Sequence, residues 1–480
     1  MSSFNLLNAE KPREITARVL RQRWTAGEFV EDLLDRALAQ ARLAPADRGL
    51  CQELVYGIVR WQAALDWLIA RKTAGRTQKP GLQDLLRLGL YQIFWLDRVP
   101  DHAAVNETVE LAKRGGFGPQ AGFINAVLRG YLREADDTRK LLAELKTTQP
   151  ALGYSHPDWL VARWQKRWDA ERTARLLEWN NTPPKNFARV NTLKFSGTGV
   201  PPVSFSATRP AMQLKHTGGT PVPLLCNAGD LLVCWREEGV EYDFVRRDWL
   251  DENLVFELKS HPPLTSLASF RDGWFYIQDP GTLLAVRELA PQSGETILDF
   301  CAAPGGKTTF IAQLMNNLGR IVAQDVSEER LKLIRENCLR LGVTCVELQR
   351  AADMLSAEQT KGGTADRMSA ARFDRVLVDA PCSNTGVMRR RVDLRWRIQP
   401  GEIGRLRAIQ LDLLRLAASR LKPGGVLVYS TCSLEPEENT EVVKQFLAEH
   451  TGFKLERERE LLPFADNVDG AFVARMKKAG

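Results

Sequence analysis

Thr296-Ile-Leu-Asp-Phe-Cys-Ala-Ala-Pro-Gly-Gly-Lys-Thr308 is a short apolar run that breaks into small residues and paired glycines and then opens a helix. Glycines let the backbone come close to a ligand, and the first helical turn offers unpaired N–H groups. The spacing fits neither the G-x-G-x-x-G dinucleotide fingerprint nor a Walker A loop, because four residues do not separate an earlier glycine from Gly306-Lys307-Thr308. Downstream the alternation continues. Arg320–Asp325, Phe373–Asp379 and Gly425–Thr431 read as strands, with helices beginning near Lys307, Glu328 and Glu402. This predicts an α/β domain over 276–480 with a mainly parallel sheet covered on both faces, whose ligands sit at the carboxyl ends of the strands.

Upstream the character changes twice. Residues 1–148 carry apolar positions near a 3.6-residue period (Arg18-Val19-Leu20, Phe29-Val30 with Leu33-Leu34, Leu65-Trp67-Leu68-Ile69) and predict an all-α domain, with Asp101 and Asn106 as candidate helix caps. Residues 149–275 mix tryptophan-rich helical pieces with strand-like runs at Phe187–Leu193 and Leu254–Leu258, a small α+β linker domain. Inside it, the Gly/Thr/Pro/Val-rich stretch 196–225 cannot bury much core and reads as an inserted, mobile loop. The 480 residues, 44% hydrophobic, suffice for such a multidomain globular chain. No run approaches eighteen apolar residues and no secretory signal opens the chain, so a cytoplasmic location is expected. The eight cysteines include no C-x-x-C pair, which speaks against a disulfide framework or a metal site. A net charge of +7 suits a polyanionic partner.

Three carboxylates follow successive strands behind the glycine loop. Asp325 ends the second strand, where a carboxylate about twenty residues on bonds ribose hydroxyls; Asp353 follows the third apolar run, suited to an adenine edge; Asp379 ends the fourth. Together they describe a nucleoside cofactor site. Two cysteines also stand at strand ends, Cys382 in Asp379-Ala-Pro-Cys-Ser-Asn-Thr-Gly386 and Cys432 in Tyr429-Ser-Thr-Cys-Ser433, whereas Cys338 and Cys345 look like packing. Cytosine carbon 5 is a poor nucleophile until a thiolate adds to carbon 6. Asp379 is the candidate acid for N3 in such a reaction. Spacing alone does not tell which cysteine attacks.

The glycine-loop motif, the Pro-Cys motif and Ser430-Thr-Cys-Ser-Leu-Glu-Pro-Glu-Glu-Asn439, in that order, resemble the signatures of the NOL/NOP/Sun RNA cytosine-5 methyltransferases. Val99-Pro-Asp-His-Ala-Ala-Val-Asn-Glu-Thr-Val-Glu110 and Gly122-Phe-Ile-Asn-Ala-Val-Leu-Arg-Gly130 resemble the NusB-like helical domain of the bacterial Sun/RsmB branch, and Phe187–Lys194 its linker strand. The resemblance implies a C-terminal Rossmann-like methyltransferase domain, S-adenosylmethionine as cofactor and small-subunit ribosomal RNA as partner, with no metal and no membrane. It makes Cys432 the nucleophile and Cys382 the residue that assists release, with Asp379 and Lys307 beside them. It assigns Cys301, Ala302, Ala303, Pro304, Gly305, Gly306, Lys307, Asp325, Arg330, Asp353 and Asp379 to the cofactor pocket.

Met388-Arg-Arg-Arg-Val-Asp-Leu-Arg-Trp-Arg397 packs five arginines around one tryptophan, a pattern that predicts phosphate contacts with the indole stacked on a base. Two other readings stay open on sequence alone: cytosine methylation of another RNA such as transfer RNA, and a non-catalytic RNA-binding factor. A monomer is expected.

Overall fold

The structure, a computed structural model, describes residues 11–194, 227–350 and 372–480. Asp353 and the 196–225 insert lie outside them. The chain forms two compact units, the first comprising residues 1–184 with 387–399, the second 185–386 with 400–480.

The first unit is helical. Helix Val30–Gln40 buries Val30, Leu33, Leu34, Ala37 and Leu38, the stripe that a 3.6-residue period lays on one face. Helix Pro80–Trp95 is different: every residue from Leu82 to Ile93 is buried, as expected of the helix at the centre of a bundle. It packs against Pro12–Arg23, Pro45–Arg60, Gln62–Lys72, Asp101–Ala112 and Ala121–Arg133. Close approach needs Gly57, where a Cβ would fall 2.0 Å from the Tyr91 ring. The cap assignments are corrected: Asp101 is the first residue of its helix and Asn106 lies inside it, with Pro100 at the cap position.

The arginine-rich stretch also departs from its reading. Residues 387–399 belong to the helical unit, and three of their arginines, Arg389, Arg395 and Arg397, are engaged by protein. Arg395 is fully buried and donates to the carbonyls of Arg60 (3.3 Å), Ser155 (3.2 Å) and Asn180 (2.9 Å) and to Asn181 Oδ1 (2.8 Å). Arg60 and Asn180 close two helices, Pro45–Arg60 and Ala170–Asn181, whose last carbonyls have no intrahelical donor. Arg389 is buried over the Trp179 ring at 4.0 Å, and the Trp396 indole donates to the Val59 carbonyl at 2.7 Å. The five donors of a planar guanidinium fit orphaned carbonyls as well as phosphates, which is why composition misled.

Asp393, fully buried, accepts from Arg23 Nε (2.6 Å), Arg397 Nε (2.8 Å) and the Val30 amide at the start of helix Val30–Gln40 (3.1 Å).

The second unit holds two sheets. Strands β1 (Asn186–Val190), β2 (Glu241–Phe244), β3 (Val255–Ser260) and β4 (Phe275–Ile277) form an antiparallel sheet in the order β2-β3-β1-β4. Trp235, on helix Asn227–Glu237, fills its core against Phe256 and Phe275. The larger sheet uses β5 (Thr296–Phe300), β6 (Arg320–Asp325), β7 (Val346–Arg350), β8 (Phe373–Asp379), β9 (Leu421–Thr431), β10 (Phe453–Leu461) and β11 (Ala471–Lys478), in the order β10-β11-β9-β8-β5-β6-β7. Strands β5 to β9 run parallel, and β11 pairs antiparallel with β9 and β10. Alternate residues serve the two covering layers. Ile297, Leu377 and Val428 meet Leu283, Phe310 and Ile334, while Leu298, Val376 and Tyr429 meet Leu414, Val442 and Phe446. From β5 the chain winds outward to β6 and β7, then returns to the other side of β5 as β8. The crevice above the β5 and β8 carboxyl ends is therefore the topological switch point, where ligands bind in open α/β sheets. Among the described residues no helix is long and apolar enough to cross a membrane.

Asp393→Ala is expected to lower the stability of the helical unit by about 3–5 kcal/mol, because two arginines and a helix start lose a buried anion. Urea unfolding followed by circular dichroism, with the exposed Arg139→Ala as a near-neutral control, measures this.

Candidate active site

The site is built where β5, β6, β8 and β9 end. After β5 the chain turns at Cys301, whose φ is 58°, and enters helix Gly306–Leu314 through Gly305 at φ 99°, a conformation that favours glycine. A Cβ at Gly305 would also lie 3.2 Å from Ile334. The turn is tied to β6 by two backbone donors: Ala302 to the Gln324 carbonyl (2.8 Å) and Ala303 to Asp325 Oδ2 (3.0 Å). Asp325 is buried and further accepts from the Val326 amide and Arg330 Nε, each at 2.8 Å. Arg330 Nη2 reaches the Ala303 carbonyl at 3.3 Å, and Asn337 donates to the Pro304 carbonyl at 3.0 Å. Thus Cys301, Ala302, Ala303, Pro304, Gly305, Gly306, Asp325 and Arg330 form one connected cradle; Asp353 lies outside the described residues.

Asp299 ends β5 beneath this cradle. It is fully buried, and one oxygen accepts from Thr308 Oγ1 at 2.6 Å while the other has no hydrogen-bond partner. Burial lifts its carboxyl to about 7. Arg189, from β1, lies buried under the same helical turn. It donates to the Gly306 carbonyl (2.7 Å), to Thr309 Oγ1 (3.0 Å) and to Gln278, and lies over the rings of Phe310 and Tyr276.

Lys307, in the first turn of the helix, forms an ion pair with Asp379 at the end of β8, 2.6 Å from Nζ to Oδ2. Burial pushes the Lys307 ammonium down, but Asp379 outweighs it and holds the group above the ordinary lysine value. Three residues on, Cys382 faces Cys432, which follows β9, with the sulfurs 3.3 Å apart. Cys432 Sγ also donates to Asn384 Oδ1 at 3.0 Å, and Asn384 itself adopts φ 57°. The hydrogen bond with Cys432, and then burial, push the Cys382 thiol well above the ordinary range. The seven cysteines among the described residues are all free; Cys338 and Cys345 pack against the core.

Beneath both thiols lies a group that the sequence reading did not single out. Glu438, on the turn Pro436–Glu438, is fully buried and accepts from Ser383 N (2.8 Å), Gln410 Nε2 (3.0 Å) and the hydroxyls of Ser383 and Ser433. Burial raises its carboxyl above the usual range while these donors pull it back. The signal available was a run of three glutamates in the Thr-Cys motif, but nothing local says that one points inward. Asn384, Gln410 and Arg189 were missed for the same reason.

A carboxylate at the β6 end, an orphaned acid oxygen at the β5 end and a helix N-terminus suit a nucleoside carrying a charged amino acid part. Two thiols beside an ammonium–carboxylate pair suit addition to an electrophilic ring.

Family models match three segments: residues 286–477 as 16S rRNA methyltransferase RsmB/F, 10–133 as the NusB family, and 156–200 as the RsmF/B-like ferredoxin-like domain. A probable ribosomal RNA small subunit methyltransferase B of Bacillus subtilis is 34% identical over 93% of this chain and 94% of that protein. Its Synechocystis counterpart is 33% identical over 97% and 99%. A crystal structure of a methyltransferase homolog from Pyrococcus horikoshii, 30% identical, superposes on 68% of this chain and 97% of its own with a TM-score of 0.53. With a NusB helical domain, a small α+β region and a Rossmann-like sheet ending in this site, the chain belongs to the RsmB/F family of ribosomal RNA small-subunit methyltransferases.

Proposed function

We propose that this protein methylates carbon 5 of a cytosine in 16S ribosomal RNA, drawing the methyl group from S-adenosylmethionine and attacking carbon 6 with Cys432. The observation that carries the reading is the thiol pair, 3.3 Å apart, beside the Lys307–Asp379 ion pair at the switch point of the sheet. The names of the curated relatives support ribosomal RNA as substrate.

Bound S-adenosylmethionine supplies an electrophilic methyl on a sulfonium. Asp325 would hold the ribose hydroxyls, Asp353 the adenine edge, and the segment 301–307 with Arg330 the remainder. The Cys432 thiol passes its proton to the Asp379 carboxylate as Sγ adds to carbon 6, and the displaced electron pair moves toward N3, which takes that proton from Asp379. Carbon 5, now an enamine carbon, takes the methyl group. With Cys382 assisting, the carbon 5 proton passes to solvent, its electron pair reforms the carbon 5–carbon 6 double bond, the Cys432 sulfur leaves as a thiolate, and N3 returns its proton to Asp379. Lys307 keeps Asp379 oriented and offsets negative charge on the ring. We also divide the chain functionally into an RNA-binding segment 1–148, a linker 149–275 and a catalytic segment 276–480.

Four outcomes are expected. Cys432→Ala abolishes methyl transfer, and Cys382→Ala lets a protein–RNA adduct accumulate that survives a denaturing gel; full activity in Cys432→Ala overturns the nucleophile assignment. Asp325→Ala weakens S-adenosylmethionine binding by about ten- to a hundredfold, the loss of one or two charge-assisted hydrogen bonds, read by calorimetry. Labelled S-adenosylmethionine incubated with isolated small-subunit RNA gives 5-methylcytosine on mapping; label found in transfer RNA alone overturns the substrate assignment.

A further inference from the structure

Cys382 and Cys432 are not anchored alike. The residues on either side of Cys382 both run to one group: Ser383 gives its amide and its hydroxyl to Glu438, and the Pro381 carbonyl accepts from Gln410, whose amide nitrogen also donates to Glu438; farther out, the Ala380 amide bonds the Ser430 carbonyl and Thr385 accepts from the Leu434 amide. Asn384 donates to the Cys382 carbonyl and accepts from Cys432 Sγ, which links the two loops but ties Cys382 to no third element. Cys432 meets the Glu438 carboxylate only through the Ser433 hydroxyl and has further ties of its own. Thr431 is paired with Phe472 in the sheet and bonds Asn439 through its hydroxyl (2.6 Å), Asn439 returns a bond to the Ser433 carbonyl (2.9 Å), and the Cys432 carbonyl accepts from the Gly386 amide (2.9 Å). Glu438 is itself fixed, since the Tyr429 hydroxyl donates to its carbonyl at 2.6 Å.

We propose that Glu438 is a positioning residue for the second thiol: it holds Ser383 so that Cys382 stays against Cys432, and release of the methylated base, rather than addition to it, depends on this carboxylate. The inference rests on the covalent reading above, in which Cys432 adds and Cys382 assists release. A carboxylate is needed because each oxygen takes two donors; an amide accepts at one end only. Glu438→Gln therefore loosens both flanks of Cys382, while the Cys432 strand end loses one hydroxyl contact and keeps its sheet pairing and its Asn439 bonds.

The test incubates wild-type protein, Glu438→Gln, Ser383→Ala, Thr431→Val, Cys382→Ala and Cys432→Ala with S-adenosylmethionine and small-subunit RNA, and measures adduct on denaturing gels and turnover in parallel. Glu438→Gln and Ser383→Ala are expected to accumulate adduct about tenfold above wild type, with turnover falling by a similar factor and single-turnover addition within about threefold. Thr431→Val, which removes a hydroxyl that bonds Asn439 on the Cys432 side and does not touch Glu438, accumulates none. A purely architectural role would lower addition and turnover together, and that result overturns the proposal. If Glu438→Gln does not fold, Ser383→Ala decides alone. If Cys382→Ala accumulates adduct but Glu438→Gln and Ser383→Ala do not, the positioning role falls while the covalent reading stands; if Cys382→Ala accumulates none, the covalent reading falls first.

Discussion

The parallel pairing of β8 with β9, in which Asp379 lies beside Ser430, is the constraint on which the site depends. Both strands are buried on their two faces, so their register is held by the core; slipping one residue would turn Leu377 and Val428 into the wrong layer. With that register set, loops leaving the same edge bring together two cysteines fifty residues apart. Pairing of β5 with β8 does the same for Lys307 and Asp379. The chemistry of the site is thus a by-product of hydrophobic burial several residues below it.

The structure also spends stability on buried charge. Arg189, Arg395, Asp393 and Asp299 are all fully withdrawn from water, at a desolvation cost that several hydrogen bonds each must offset. Three of them achieve this by taking up backbone groups at helix ends or first turns: Arg395 the last carbonyls of two helices, Asp393 the opening amide of a third, Arg189 the first turn below the glycine loop. Asp299 instead keeps one oxygen without a donor, and burial lifts its carboxyl to about 7, so the β5 side of the cradle carries an unsatisfied polar atom.

How much of this could be read in the chain follows from how local each signal is. Strand Thr296–Phe300 and the glycine turn after it are specified by adjacent residues, and the switch from a 3.6 to a 2.0 period separates the helical part from the sheet. The motifs brought Cys382, Cys432, Lys307 and Asp379 onto one candidate list because each stands at a strand or helix end. Arg389, Arg395 and Arg397 were misread because a cation looks the same in sequence whether its partner is a phosphate or a protein group far along the chain, such as the Ser155 carbonyl 240 residues from Arg395. Glu438 was missed because its inward direction is set by Tyr429, Gln410 and two serines on three different elements.

The helical unit is discontinuous: residues 387–399 complete what residues 1–184 begin. Translation delivers these parts roughly ten to forty seconds apart, given an intervening stretch of about two hundred residues and ribosomal speeds of about 5–20 residues per second. During that interval the carbonyls of Arg60 and Asn180 and the opening amide of helix Val30–Gln40 lack Arg395 and Asp393. The amino-terminal bundle must therefore leave the ribosome unfinished, and its final locking is timed by synthesis of the other unit.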